Sequence, residues 1–161
     1  MRRVRVATVV ALVALVGCTI ERRTDRSVED PPVPSASEFL RPWGPSAPPA
    51  GVKSGDLVWV WAMAGTVPGA VPPRLIEGGI GAETRQALEN VVDVLEAGGA
   101  AARDVAQCSV FLADAADLDA MRAVYAEYLP AQPLRTAVAV SGLALGARVE
   151  LECTAVLPGG S

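Results

Sequence analysis

Two short stretches near the C-terminus hold the residues best suited to chemistry. Pro133-Leu134-Arg135-Thr136 places an arginine at the start of an apolar run, and Val149-Glu150-Leu151-Glu152 sets two carboxylates two residues apart in a strand pattern. A guanidinium grips a carboxylate through two parallel hydrogen bonds and stays charged in a closed cleft. A carboxylate beside a bound water takes its proton as the water attacks. Read alone, both residues also fit plainer roles. Arg135 fits a surface arginine paired with an acid, and Glu150 a solvent-facing residue alternating with Val149 and Leu151, with Glu152 on the same face. The chain has no histidine, which excludes Ser/His/Asp and Cys/His triads, His-ligated metals and a histidine base. Cys108 and Cys153 are spaced wrongly for a metal knuckle. As an even pair they allow a disulfide in an oxidising compartment, but both lie in apolar strand patterns, which favours two buried thiols.

The elements that must position these residues follow from periodicity. Residues 57–63 (LVWVWAM) read as a strand rich in β-branched and aromatic side chains, with Trp59, Trp61 and Met63 on one face by period-2 alternation. Turn signals at Pro68-Gly69 and Pro72-Pro73 precede a short second strand at 75–76. Residues 80–97 form an amphipathic helix with Leu88, Val91, Val92 and Leu95 at helical spacing and Gly98-Gly99 at its end. A strand at 105–112 leads to a second helix capped by Asp114 or Asp117, with Leu118, Met121, Val124, Tyr125 and Tyr128 on one face and Pro130 as its stop. Strands at 136–140 and 149–156 close the chain. The order β-β-α-β-α-β-β predicts an α+β fold, two helices on one face of a mixed sheet. The other face needs a cover, and self-association supplies one without a third helix.

The chain has 161 residues, 51% of them apolar, and a net charge of −4, enough apolar material for one domain with a real core. Residues 1–17 combine three arginines with a ten-residue apolar run at 7–16, too short to span a bilayer and of the form of a signal peptide. Leu15-Val16-Gly17-Cys18 resembles a bacterial lipobox, which implies lipidation at Cys18 and an extracytoplasmic protein anchored to a bacterial membrane. From Cys18 onward, 11 basic residues face 18 acidic ones, a balance that argues against a nucleic-acid footprint. Residues 18–52 turn Pro-rich and read as a tether, with Phe39, Leu40 and Trp43 able to pack on the domain edge. The folded domain is expected at 53–161.

Within that domain GDLVWV, GGIGAETRQALENVVDVLEAGG, DVAQCSVFLADAADLDAMRAVYAEYL and LRTAVAVSGLALGARVELECTAV resemble the Rid (YjgF-like) family in order and spacing, over about 105 residues. The resemblance implies a chorismate-mutase-like α+β fold and a homotrimer with clefts between subunits. It implies cofactor-free, metal-free hydrolysis of 2-imino and 2-enamino acids to 2-keto acids and ammonia. It assigns Arg135 to the substrate carboxylate and Glu150 to the attacking water. An imine is already electrophilic, so this chemistry needs no metal and no nucleophilic side chain. The family's usual Ser-Gly after the first long strand is Trp61-Ala62 here, and its second-helix asparagine is Arg122, which marks Trp61 and Arg122 as altered substrate-binding positions. After Gly44-Pro45 the chain has Ser46 in place of an aromatic residue. These departures leave a second expectation open, a non-catalytic envelope module that binds a small carboxylate. A third is a scaffold trimer with no ligand.

Overall fold

The computed structural model describes residues 37–131 and 133–159, which lie within one compact unit, Val33–Ser161. In chain order the elements are β1 (Glu38–Leu40), β2 (Gly51–Ser54), β3 (Leu57–Ala64), α1 (Gly79–Ala97), β4 (Val105–Leu112), α2 (Leu118–Tyr128), β5 (Leu134–Ala139) and β6 (Val149–Val156). They form one six-stranded sheet in the order β1-β2-β3-β6-β4-β5. Only the β4–β5 pair is parallel, its two strands joined through α2; the other pairs are antiparallel. The expected mixed sheet with two helices on one face is therefore the observed one.

Alternation decides which side of the sheet is core. On β6, Val149, Leu151, Cys153 and Ala155 are buried, as are Val58 and Val60 on β3 and Cys108, Val110 and Leu112 on β4. Leu88, Val91, Val94 and Leu95 of α1 and Met121, Val124 and Tyr125 of α2 join the same cluster. Each large side chain so buried stabilises the fold by about 1.5–3 kcal/mol. The intervening residues face away from the helices.

Three expectations change. First, the sheet starts earlier than residue 53. β1 and the first half of β2 fall in the stretch read as tether, where Leu40 and Ala50 are both buried and the Ala50 amide donates to the Leu40 carbonyl. Pro42, Pro45, Pro48 and Pro49 lie in the connection between these two paired strands. Second, the strand expected at 75–76 is a single bridge between Leu75 and Thr66. Third, Met63 does not share a face with Trp59 and Trp61. Val60 pairs with Cys153 and Met63 with Leu151, so Trp61 and Ala62 together oppose Glu152. This β-bulge inserts one residue and turns Met63 into the core at 8% exposure, leaving Trp59 and Trp61 outside at 43% and 41%.

The two cysteines correct another expectation. Cys108 and Cys153 stand directly opposite in the β4–β6 ladder, their Cα atoms 4.2 Å apart, and are joined as a disulfide on the buried side of the sheet. Two directly opposed strand positions that face the same way bring their sulfurs within bonding reach; sequence spacing carries no record of that pairing.

Candidate active site

On the sheet face that the helices leave open, the strands form rows. Trp59, Thr154 and Gln107 make one row. Trp61 and Ala62, Glu152 and Ser109 make the next, and Ala64, Glu150 and Phe111 the third. A cavity of about 360 Å³ opens over the first two rows, walled by Trp59 and Trp61, with Gln107, Ser109, Glu152 and Thr154 around it. Phe39 meets Trp61 edge to face, ring centroids 6.2 Å apart. Trp61 is thus a wall of the open-face cavity, on the opposite side of the sheet from the helices. Glu150 lies beside the cavity, half-buried, and among the described residues no hydrogen bond or ion pair engages its carboxylate.

Polar clamps hold the strand that carries Glu150 and the end of the β3 strand paired with it. At the start of β6 the Arg148 amide donates to the Glu83 carboxylate of α1 at 2.8 Å. The Arg148 guanidinium grips Asp117 through two bonds, Nε to Oδ2 at 3.0 Å and Nη2 to Oδ1 at 2.7 Å. Those bonds push the Arg148 pKa above its ordinary value, chiefly through the hydrogen bond with Asp117 and then its charge. Val149, next in line, is wholly buried, so Glu150 leaves a backbone fixed on both sides. Across from it, the Asn90 side chain of α1 donates to the carbonyls of Ala64 and Thr66 at 3.1 and 3.0 Å. Gly65 between them packs on the backbone of Glu83 so closely that a Cβ would lie 2.7 Å from it. The partner of Glu150 in the ladder is Ala64, so the clamp fixes the mouth of the site.

The other predicted positions are distributed. Arg135 lies on the edge strand β5, in register with Cys108, whereas Glu150 is in register with Phe111. Three steps along the strand and two strand spacings separate their backbones by about 14 Å. Arg122 is on α2, more than half exposed, with Asp119 4.0 Å away, and lines neither cavity described here. Ser46 borders a second cavity of about 500 Å³, apolar and shared with Trp43, Pro48, Val67 and Pro73. Trp43 is held there by its Nε1 donating to Asp93 at 2.9 Å. Cys18 lies outside the described residues.

Sequence reading did not single out Glu83, Asn90 and Arg148, and it offered Asp117 only as a helix cap. A signal existed for two of them: Glu83 and Asn90 sit at helical spacing with Ala87, Val91 and Val94 on the buried face of α1. A polar residue there must find a buried partner.

Comparison with known proteins bears on this arrangement. Residues 49–157 match the family described as Endoribonuclease L-PSP. The chain is 33% identical over 107 residues to "Reactive Intermediate Deaminase A, chloroplastic" of Arabidopsis thaliana, covering 66% of this chain but 56% of the plant protein. It is 36% identical over 119 residues to a RutC family protein of Pyrococcus horikoshii, covering 71% of this chain and 89% of the archaeal one. To the human "2-iminobutanoate/2-iminopropanoate deaminase" it is 34% identical over 84 residues, or 52% of this chain and 61% of that protein. The crystal structure of RidA from an Antarctic Psychrobacter superposes with a TM-score of 0.66 at 29% identity, over 74% of this chain and 98% of the other. With most of its folded residues under that family model, the chain belongs to the Endoribonuclease L-PSP, or YjgF/Rid, family.

Proposed function

We propose that this protein hydrolyses small 2-imino and 2-enamino acids to 2-keto acids and ammonia, without a cofactor, in self-associated copies. The observation that carries the reading is Glu150: a half-buried carboxylate on a clamped strand, unengaged by any described residue, beside a walled cavity. Relatives named as imine deaminases support the same chemistry. In this reading Arg135 binds the substrate carboxylate and orients the imine carbon. Glu150 takes a proton from the attacking water as the C–O bond forms. It returns that proton to the imine nitrogen as the C=N π bond opens to the carbinolamine, then carries the carbinolamine hydroxyl proton to the same nitrogen as the C–N bond breaks and the C=O bond forms, and the keto acid and ammonia leave. The backbones of Arg135 and Glu150 stand about 14 Å apart within one chain, and the family resemblance implies clefts that lie between subunits. In the homotrimer that the resemblance implies, such a cleft joins Arg135 of one copy to Glu150 of another.

A lipid-anchored position outside the cytoplasm belongs to the same proposal. It rests on residues 1–17 and Cys18, and the disulfide supports it, since such bonds persist in oxidising compartments.

The test is ammonia release from freshly generated 2-iminopropionate by wild type, Arg135→Ala and Glu150→Ala. Acceleration by wild type that both variants lose supports the proposal. A wild-type rate equal to buffer overturns it. The second reading, a carboxylate-binding module without turnover, is favoured by Trp61 in the bulge where the family's Ser-Gly is expected. Saturable pyruvate binding without hydrolysis would establish it.

A further inference from the structure

The open-face cavity carries a feature that imine hydrolysis does not use. Two indoles stand on its wall, and one carboxylate, Glu152, lies in the row next to Trp61. The bulge creates this juxtaposition, because two β3 residues, Trp61 and Ala62, oppose the single Glu152. Ser109 faces Glu152 from β4, and Gln107 and Thr154 add further acceptors one row away. Among the described residues no lysine or arginine lines the cavity, and no hydrogen bond or ion pair engages Glu152. An indole face attracts a cation through its quadrupole. An unneutralised carboxylate at its edge adds charge-assisted hydrogen bonds. Serine, threonine and glutamine oxygens accept the remaining N–H groups. A planar cation with several N–H donors satisfies all of these at once, stacking on an indole while forking onto the carboxylate.

We infer that Trp59, Trp61 and Glu152 form a binding site for a guanidinium group. Glu152 lies two residues from Glu150 on the same face of β6, about 7 Å along the strand. That spacing suits a propylguanidine stem whose far end reaches the reacting centre. The preferred substrate is then the 2-imino acid formed from arginine, and this last step rests on the proposed hydrolase reading; the guanidinium site itself does not.

The experiment titrates the full-length assembled protein with n-propylguanidinium and with n-propylurea, its neutral planar isostere, following tryptophan fluorescence. Guanidinium is expected to perturb the emission saturably, and urea at least tenfold more weakly. Glu152→Gln, which keeps shape and removes charge, is expected to weaken guanidinium binding about tenfold or more. Trp61→Leu keeps apolar bulk and removes the ring face, and should cost about fivefold. A melting curve verifies that each variant is folded. Equal binding of the two probes by wild type, or a folded Glu152→Gln that binds guanidinium as wild type does, overturns the inference. Turnover is then compared for imines generated from arginine and from leucine. A preference for the arginine imine that shrinks in Glu152→Gln supports the substrate assignment. Guanidinium binding with no turnover of any imine leaves the site standing and removes the hydrolase reading. Turnover without discrimination between the probes removes the site and keeps the hydrolase.

Discussion

Glu150 owes its place to its neighbours more than to its own contacts. Val149 and Leu151 are buried on either side, so alternation commits Glu150 to the open face, and Arg148 anchors the strand just before it. Replacing Glu150 by Gln keeps the shape and removes the proposed base. The expected result is a fall in kcat of about a hundredfold or more with a smaller change in KM, read by ammonia release. Asn90 acts at one remove, holding the carbonyls of Ala64 and Thr66. Asn90→Ala would leave both without that donor, at a cost of about 1–3 kcal/mol in urea unfolding. It should also lower kcat more than it raises KM, since the backbone opposite Glu150 is released. The candidate pair Arg135 and Glu150 was legible only through family resemblance, because a strand-start arginine and an alternating glutamate occur in many sheets. The tryptophan-lined cavity was not legible. Its geometry depends on a bulge, and no glycine or proline at Trp61-Ala62 announces one.

Among the elements, those with strong periodicity were readable. The buried residues of α1 recur at helical spacing, and β6 alternates without a break. What failed was short or broken. β1 and β2 are three and four residues long and border a proline-rich connection, so composition hid them. Asp114 and Asp117 were alternatives for one cap, and both are used. Asp114 accepts from the Ala116 amide to start the turn before α2, while Asp117 gives its carboxylate to Arg148. The two helices are further clasped at their solvent edge, where Tyr128 donates to Glu89 at 2.9 Å and Arg85 reaches Glu127 at 2.8 Å. Partial burial first, and then the bond to Glu89, raise the Tyr128 pKa above its ordinary 10.0, with Arg85 opposing. A pKa raised by folding contributes stability that is complete below the unfolded value and is lost as pH rises through the folded one. Wild type should therefore lose stability above about pH 10 more steeply than Tyr128→Phe, as chemical denaturation across pH 8–11 would reveal.

At the scale of the molecule, the single covalent cross-link joins β4 and β6, adjacent inner strands of the sheet, and closes a segment with a sequence separation of 45 residues. Chain-entropy arguments put its contribution near 4 kcal/mol, within a typical 2–4. A Cys108→Ala/Cys153→Ala double variant, or wild type with reductant, should therefore lose about 4 kcal/mol of unfolding free energy and show a lower urea midpoint, with a steeper slope because the unlinked denatured chain exposes more surface. An unchanged midpoint would mean the thiols are not joined in solution. The bond also gives one polypeptide two stabilities, selected by the redox poise around it. A newly made, reduced chain is the looser form, more readily unfolded by a translocation machine or a protease. Oxidation then works as a ratchet: once the sulfurs join, the inner strands cannot separate fully, and the path back to an extended chain is closed.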